Sequence, residues 1–117
     1  MTPSITKVTL DSEGTLAILR FQGDITSASK DVVLGAYEQV SKDHARKILL
    51  DFSKVSYLNS SGIALVIQML MEANRSGQKV QIFGLTPHFQ KVFTMVGLTK
   101  YTALHPDEVT AKAAFAG

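Results

Sequence analysis

One stretch of the sequence, from residue 47 to residue 77, constrains the fold most strongly. It begins with a continuous apolar run, Ile48-Leu49-Leu50, and then Phe52, which is typical of a strand covered on both faces in a parallel sheet. After a short loop, apolar side chains recur at helical spacing from about Ser60 to Arg75, and Gly77 marks the end of this helix. A buried strand followed closely by an amphipathic helix predicts an α/β fold.

The rest of the sequence supplies the other elements of such a fold. Two β-like runs around the turn Asp11-Ser12-Glu13-Gly14 predict an antiparallel hairpin, whose second strand runs from Leu16 to Phe21. Further patterns predict helices over 27–43, 87–96 and 106–115 and strands over 80–83 and 101–104. The predicted architecture is α/β: a mixed, mostly parallel sheet of four to five strands with an N-terminal hairpin and about four helices, in one domain over residues 1–117.

Two of these helices have a defined apolar face. In the first, Thr26 or Ser27 is the expected N-cap, and the face consists of Val33, Ala36, Tyr37 and Val40. The helix that begins near Pro87 carries an apolar stripe of Phe89, Val92, Phe93 and Val96. Both faces are expected to cover the sheet.

Composition and charge exclude several classes of function. The formal net charge is +2 and the twelve Lys and Arg residues are scattered, so no basic groove for nucleic acid is expected. The longest apolar run, Ile63 to Leu70, is interrupted by Gln68 and is too short to cross a membrane. There are no cysteines, and Met1-Thr2-Pro3-Ser4 has no signal-peptide pattern. We therefore expect a cytoplasmic protein without disulfides or thiolate metal sites.

The turn Asn59-Ser60-Ser61-Gly62 is the leading candidate for a functional site. It connects the buried strand to the apolar helix, and partners bind at such carboxyl-end loops in parallel α/β sheets. Capping explains Asn59 or Ser60, because both are favoured N-cap residues. Capping does not explain Gly62, which costs a helix roughly 0.5–1 kcal/mol relative to alanine. We expect Gly62 to give a partner close access to the serines.

A helical wheel of the same helix separates three groups of side chains. The core-facing arc consists of Ile63, Val66, Ile67, Leu70 and Met71, and the polar arc contains Ser61, Gln68, Glu72 and Arg75. Between them lies an apolar strip of Gly62, Leu65 and Met69. This strip is either covered by a neighbouring helix or exposed as a docking surface, for which methionine is an adaptable contact.

Three segments together resemble the STAS domain family, and within it the bacterial anti-sigma factor antagonists, or anti-anti-sigma factors. Phe21-Gln22-Gly23-Asp24-Ile25-Thr26 resembles the family's glycine-acid-aliphatic-acid segment after the second strand. Residues 48–62 resemble its strand, Asp, loop and Asp-Ser-Ser-Gly motif. Residues 84–98 resemble its closing helix, with Gly-Leu-Thr-Pro at one end and Gly-Leu at the other. The three segments span nearly the whole chain in the family's order.

The resemblance implies a regulatory binding protein that is not an enzyme. It places Ser60 at the position of the regulatory phosphoserine, with Ser61 as the second choice. The expected partner is an anti-sigma factor with a serine kinase fold, which holds the ATP, so this protein needs no cofactor. In the family, phosphorylation breaks the complex with the kinase and a serine phosphatase restores it. With the turn and the strip included, the expected partner-binding residues are Asp24, Thr26, Asn59, Ser61, Gly62, Leu65 and Met69.

Two positions depart from the family pattern. Asn59 stands where the family most often has Asp, and Thr26 stands where a second acid often lies. Both changes remove negative charge near Ser60. They keep open an alternative, a non-phosphorylated STAS scaffold or a subunit of a stress-signalling or transporter complex, in which any membrane attachment needs a partner protein.

No enzyme motif competes with this interpretation. The serine between strand and helix lacks the G-x-S-x-G pattern of a nucleophile elbow, and no P-loop or Rossmann glycine pattern occurs. The histidines, His44, His88 and His105, have neither an evident acid partner nor metal-ligand spacing. We expect them to be surface or capping residues.

Overall fold

A computed structural model describes residues 5–42 and 45–116 of the chain. Within these ranges the strands are β1 (Lys7–Glu13), β2 (Leu16–Ile25), β3 (Lys47–Leu58), β4 (Lys79–Phe83) and β5 (Ala103–His105). The α-helices are α1 (Lys30–Lys42), α2 (Ser60–Arg75), α3 (Pro87–Met95) and α4 (Glu108–Ala113), with short 3₁₀ helices before α1, after α3 and after α4. The predicted order of elements is confirmed. The predictions for Met1 to Ser4, for Asp43 as a helix end and for His44 lie outside the described residues.

The strands form one sheet in the order β1-β2-β3-β4-β5. β1 is antiparallel to β2, whereas β2, β3, β4 and β5 are parallel to one another. This is the predicted mixed sheet, which is parallel after an N-terminal hairpin. The helices α1 and α2 connect successive parallel strands, so the chain moves steadily across the sheet from one edge to the other.

Helices cover both faces of the sheet. On one face, side chains of α1, α2 and α3 pack with the sheet into the main core, and the ring of Phe52 lies 4.9 Å from that of Phe21 and 6.0 Å from that of Phe93. On the other face, Ala111 and Phe115 from the C-terminal segment cover a smaller apolar cluster that contains Ile18, Leu49 and Phe83. The strand β3 contributes to both clusters, which confirms that it is central and doubly covered.

The strand β3 is longer than the sequence predicted. The prediction ended it at Phe52, but the strand continues to Leu58. β4 pairs with β3 only as far as Asp51, and beyond that point β3 pairs with β2 through two register shifts. Bulges of this kind re-aim side chains and end pairing. The extension was missed because the segment from Ser53 to Tyr57 is mostly polar and exposed.

One apolar assignment in α3 was wrong. Phe93 is buried and Phe89 and Val92 pack against the main core, as the stripe predicted. Val96 is about half exposed, because α3 ends at Met95 and the chain turns at Gly97, which has a positive φ of 84°. The stripe therefore stops one turn earlier than the sequence indicated.

Candidate functional site

The candidate site lies where β3 meets α2, at the carboxyl end of the central strand. Asn59 has an extended backbone, and its side-chain Oδ1 accepts a hydrogen bond of 2.8 Å from the amide of Gly62. Its own amide donates to the carbonyl of Ile25 at 3.4 Å. Asn59 is thus the N-cap of α2, and it also attaches the turn to the end of β2. The sequence had left the cap open between Asn59 and Ser60.

A close contact within this chain requires glycine at position 62. A Cβ atom at this position would lie 2.0 Å from the carbonyl oxygen of Ile25 and 2.7 Å from its carbonyl carbon. The first turn of α2 therefore rests directly on the backbone at the end of β2. The expectation that Gly62 gives a partner access was wrong, because Gly62 is buried and the close approach is made by this chain itself.

The two serines of the turn remain on the surface. Ser60 and Ser61 are both exposed, and they are the first two residues of α2. The amides of a first helical turn have no intrahelical partner, and the positive end of the helix dipole lies beside them. A hydroxyl at Ser60 is thus accessible, next to backbone that favours negative charge.

The expected docking strip on α2 does not exist. Leu65 is 7 % exposed and Met69 is 2 % exposed. The physical reason is that α1 lies beside α2, and Met69 lines the cleft between the two helices together with Tyr37. Met71, which the wheel assigned to the core, is instead 44 % exposed. Leu65 and Met69 are core residues, and neither belongs to a partner surface.

The segment at the end of β2 lies beside the turn. Thr26 caps the 3₁₀ helix Ser27–Ser29, since its hydroxyl accepts from the amide of Ala28 at 3.2 Å. In turn, the hydroxyl of Ser29 accepts a hydrogen bond of 2.9 Å from the amide of Thr26. Asp24 is half-buried and is the Cα partner of Tyr57 on β3. The structure therefore brings Asp24, Thr26 and the Asn59–Gly62 turn to one edge of the sheet.

Sequence reasoning missed a cluster of ion pairs on the α4 face of the sheet. Arg20 donates to Asp11 at 2.8 Å, to Asp51 at 2.9 Å and to Glu108 at 2.8 Å. Lys112 lies 2.9 Å from Glu108. Hydrogen bonds to Glu108, Asp11 and Asp51 raise the pKa of Arg20. The bonds from Arg20 and Lys112 lower the pKa of Glu108 to about 2. The cluster ties α4 to the sheet.

No local pattern could have identified this cluster. Arg20 and Glu108 are 88 residues apart in sequence, and only the parallel sheet brings them together. Asp51, the acid that the family motif places after the strand, also accepts bonds from the amide and hydroxyl of Ser53 at 2.9 and 2.6 Å. Its role in this chain is to hold the bulge where β4 stops pairing with β3.

The described histidines have their ring contacts with residues outside the turn. The ring of His88 is exposed and lies 5.2 Å from that of Phe89. The Nε2 atom of His105 lies 2.7 Å from Oε1 of Gln81 on the neighbouring strand. Among residues 5–42 and 45–116, no three His, Cys, Asp or Glu side chains are grouped so as to hold a metal ion. In the same ranges, no helix is both long enough and apolar enough to cross a membrane.

Comparison with protein families identifies the class to which this fold belongs. The family model described as "Mlab, STAS domain" matches residues 8–106. The chain therefore belongs to the STAS domain family, and the family predicted from its three sequence segments is confirmed.

Individual relatives agree with this assignment. An anti-sigma F factor antagonist of Paenibacillus polymyxa is 22 % identical over 95 residues, covering 80 % of this chain and 81 % of the relative. The crystal structure of an anti-sigma factor antagonist from Mycobacterium paratuberculosis matches with a TM-score of 0.85 and 17 % identity, over 99 % of this chain and 98 % of that one. The Bacillus cell fate determinant SpoIIAA in its phosphorylated form matches with a TM-score of 0.71 and 18 % identity, over 92 % and 98 % of the two chains.

Proposed function

We propose that this protein is an anti-sigma factor antagonist that binds an anti-sigma factor serine kinase and is released when Ser60 is phosphorylated. The observation that carries the proposal is the exposed Ser60 hydroxyl at the start of α2, on a turn held in place by Asn59 and Gly62. The anti-sigma F factor antagonist of Paenibacillus polymyxa supports it. The protein acts in the cytoplasm by binding alone, and its kinase brings the ATP.

The local structure suits a switch that changes charge without refolding. Phosphorylation adds about −1.5 to −2 charge at pH 7. At the first position of α2 this charge meets the positive end of the helix dipole, which stabilises it by about 0.3–1 kcal/mol. The Asn59 cap and the contact of Gly62 with Ile25 do not involve the Ser60 hydroxyl. The fold survives, and the partner meets a negative group where it had bound a neutral one.

The partner surface in this proposal consists of residues that lie together at the carboxyl edge of β2 and β3. They are Asp24, Thr26, Asn59, Ser60 and Ser61. A phosphate at Ser60 weakens binding through like-charge repulsion and desolvation at the interface. A serine phosphatase that removes the phosphate restores the binding form.

The proposal is tested by incubating the purified protein with ATP and each anti-sigma factor serine kinase of the same genome, followed by mass spectrometry of tryptic peptides. We expect one phosphate on Ser60, its loss in Ser60→Ala and its retention in Ser61→Ala. Phosphate on Ser61 alone would mean that Ser61, and not Ser60, is the phosphorylation site. Absence of phosphate with every kinase would contradict a switch that depends on phosphorylation.

Ser60→Asp provides a second test, which separates the switch from helix capping. We expect at least tenfold weaker kinase binding and a melting temperature close to that of the wild type, because Asn59 and not Ser60 makes the cap. A large fall in melting temperature would mean that the Ser60 side chain supports the fold.

A second candidate function is a non-phosphorylated scaffold or a subunit of a stress-signalling or transporter complex. Asn59 favours it, because the amide oxygen makes the cap bond at 2.8 Å without placing a negative charge beside Ser60. Recovery of a transporter ATPase instead of a kinase by the immobilised protein, together with an unmodified Ser60, would support this candidate.

A further inference from the structure

The α4 face of the sheet is covered only in part. The C-terminal segment covers Ile18 and Leu49, near the amino ends of β2 and β3, and Phe83 at the end of the shorter strand β4. Side chains alternate between faces along a strand, so Gln22, two residues beyond Arg20, lies on this same face. Gln22 and its Cα partner Lys54 are both exposed. Toward the turn, the sheet surface on this face is open to solvent.

Two large apolar side chains lie in this open region. Tyr57 is 51 % exposed and pairs with Asp24, two residues beyond Gln22 on β2. The hydroxyl of Thr6 donates to the carbonyl of Asp24, so the chain before β1 lies beside the same end of β2. Ile5, which precedes Thr6, is 80 % exposed. We call the surface formed by Ile5, Lys7, Gln22, Lys54 and Tyr57 the open face.

The open face carries two exposed lysines, Lys7 and Lys54, and is bordered by one acid, the half-buried Asp24. Lys7 is the Cα partner of Gln22, which in turn pairs with Lys54. Neither lysine forms an ion pair within residues 5–42 and 45–116. The nearby acid Asp11 is occupied by Arg20 at 2.8 Å. Lys7 and Lys54 are thus available to carboxylates of an occupant, and Tyr57 and Ile5 offer it apolar contact area.

The open face is continuous with the Ser60 turn. Tyr57 precedes Ser60 by three residues, and its pairing partner Asp24 belongs to the proposed partner surface. A stable protein interface covers about 800 Å² and 20–30 residues on each side, far more than a four-residue turn offers. A partner that contacts Ser60 from the end of β3 needs adjoining surface, and the open face supplies exposed tyrosine, a residue type that is enriched among interface hot spots.

We propose that the open face is a second contact of the same anti-sigma factor kinase, which places an acidic segment between Lys7 and Lys54 and an apolar side chain against Tyr57. This inference rests on the proposed function. It adds that affinity depends on a surface that phosphorylation does not touch, so Ser60 controls release while the open face selects which kinase binds.

The experiment measures kinase binding by the full-length, unphosphorylated protein using biolayer interferometry, with each anti-sigma factor serine kinase of the same genome as the probe. Tyr57→Thr keeps a β-favouring residue on the strand, and we expect it to weaken binding about tenfold. Lys54→Glu should slow association about tenfold at low salt, with a smaller effect at high salt.

Matched control variants lie elsewhere on the surface. Tyr101→Thr changes a tyrosine that is 39 % exposed after α3, and Lys79→Glu reverses an exposed lysine at the start of β4. Both should bind the kinase as the wild type does. Thermal unfolding of all four variants checks that the fold is retained.

The outcomes separate the two proposals. Wild-type binding that is weakened by Tyr57→Thr and Lys54→Glu, but not by the controls, supports the open face. Wild-type affinity in both open-face variants overturns it and leaves the proposed function intact. Failure of every kinase to bind the wild-type protein overturns the proposed function and this inference with it.

Discussion

Replacing Gly62 with alanine should destabilise the protein, although the same substitution usually stabilises a helix. In an unobstructed helix, alanine is more favourable than glycine by about 0.5–1 kcal/mol. At Gly62, however, the new methyl group would lie 2.0 Å from the carbonyl oxygen of Ile25, and a Cβ contact below 3 Å requires something to move. The obstacle is backbone, which no side-chain rotation can relieve. The start of α2 must therefore lift away from the end of β2.

The magnitude follows from two opposing contributions. Overpacking of a close-packed interior costs typically 1–3 kcal/mol, and a clash with backbone at this distance belongs at the upper end, about 3 kcal/mol. The gain in helix propensity offsets about 1 kcal/mol. The net loss is about 2 kcal/mol, which corresponds to a melting temperature lower by roughly 8 °C in a domain of this size.

The assay is urea unfolding of the purified protein, followed by circular dichroism. Gly35 in α1 is the matched control, because a Cβ there would meet no atom within 4 Å. Gly35→Ala should therefore raise the free energy of unfolding by about 0.5–1 kcal/mol, while Gly62→Ala lowers it. An increase in both variants would refute the conclusion that Gly62 is required by its contact with Ile25.

Three further predictions concern the core of α2, the cap and the ion pairs. Met69→Ala should lower the free energy of unfolding by about 2–5 kcal/mol, whereas Met71→Ala should change it by less than about 1 kcal/mol. Equal effects of the two substitutions in urea unfolding would contradict the assignment of Met69 to the core. Asn59→Ala should cost about 1 kcal/mol and Asn59→Asp much less, and equal losses would mean that the cap bond is unimportant. Arg20 and Lys112 lower the pKa of Glu108 to about 2, so the contribution of Glu108 to stability is present above pH 4.5 and is lost as the pH falls through about 2. The urea midpoint of Glu108→Gln should therefore be lower than that of the wild type at pH 7, and the two midpoints should converge near pH 2. A difference that stays constant with pH would contradict this assignment.

The sequence was sufficient to predict most of the fold. The apolar run at Ile48-Leu49-Leu50 and the helical pattern after Ser60 identified the central strand and α2, because both depend on periodicities that are local in the chain. The hairpin and the later elements followed from turn residues and spacing. The extension of β3 to Leu58 was missed, since a strand paired along one side and facing solvent does not show the pattern of a buried one.

The orientation of α2 could not be predicted from its own sequence. A wheel assumes one buried direction, but α2 contacts the sheet on one side and α1 on another, and Met69 lies at this second contact. Leu65 is buried as well. Met71 is exposed as a consequence. Gly62 was misinterpreted for a similar reason. The residue that requires glycine there is Ile25, 37 positions earlier in the sequence, and the pattern of residues within α2 does not reveal this contact.

The change from acid to Asn59 has a physical meaning that the structure makes specific. An aspartate and an asparagine can make the same cap bond from Oδ1 to the amide of Gly62, so the fold does not require the neutral residue. What asparagine removes is a negative charge beside Ser60. Substitution by aspartate restores the acid that the family most often has at this position and keeps the cap bond. In the proposed switch, Asn59→Asp should therefore be phosphorylated on Ser60 at least as fast as the wild type. If Asn59→Asp were phosphorylated more slowly, a negative charge beside Ser60 would hinder the kinase, and Asn59 would no longer favour the non-phosphorylated alternative.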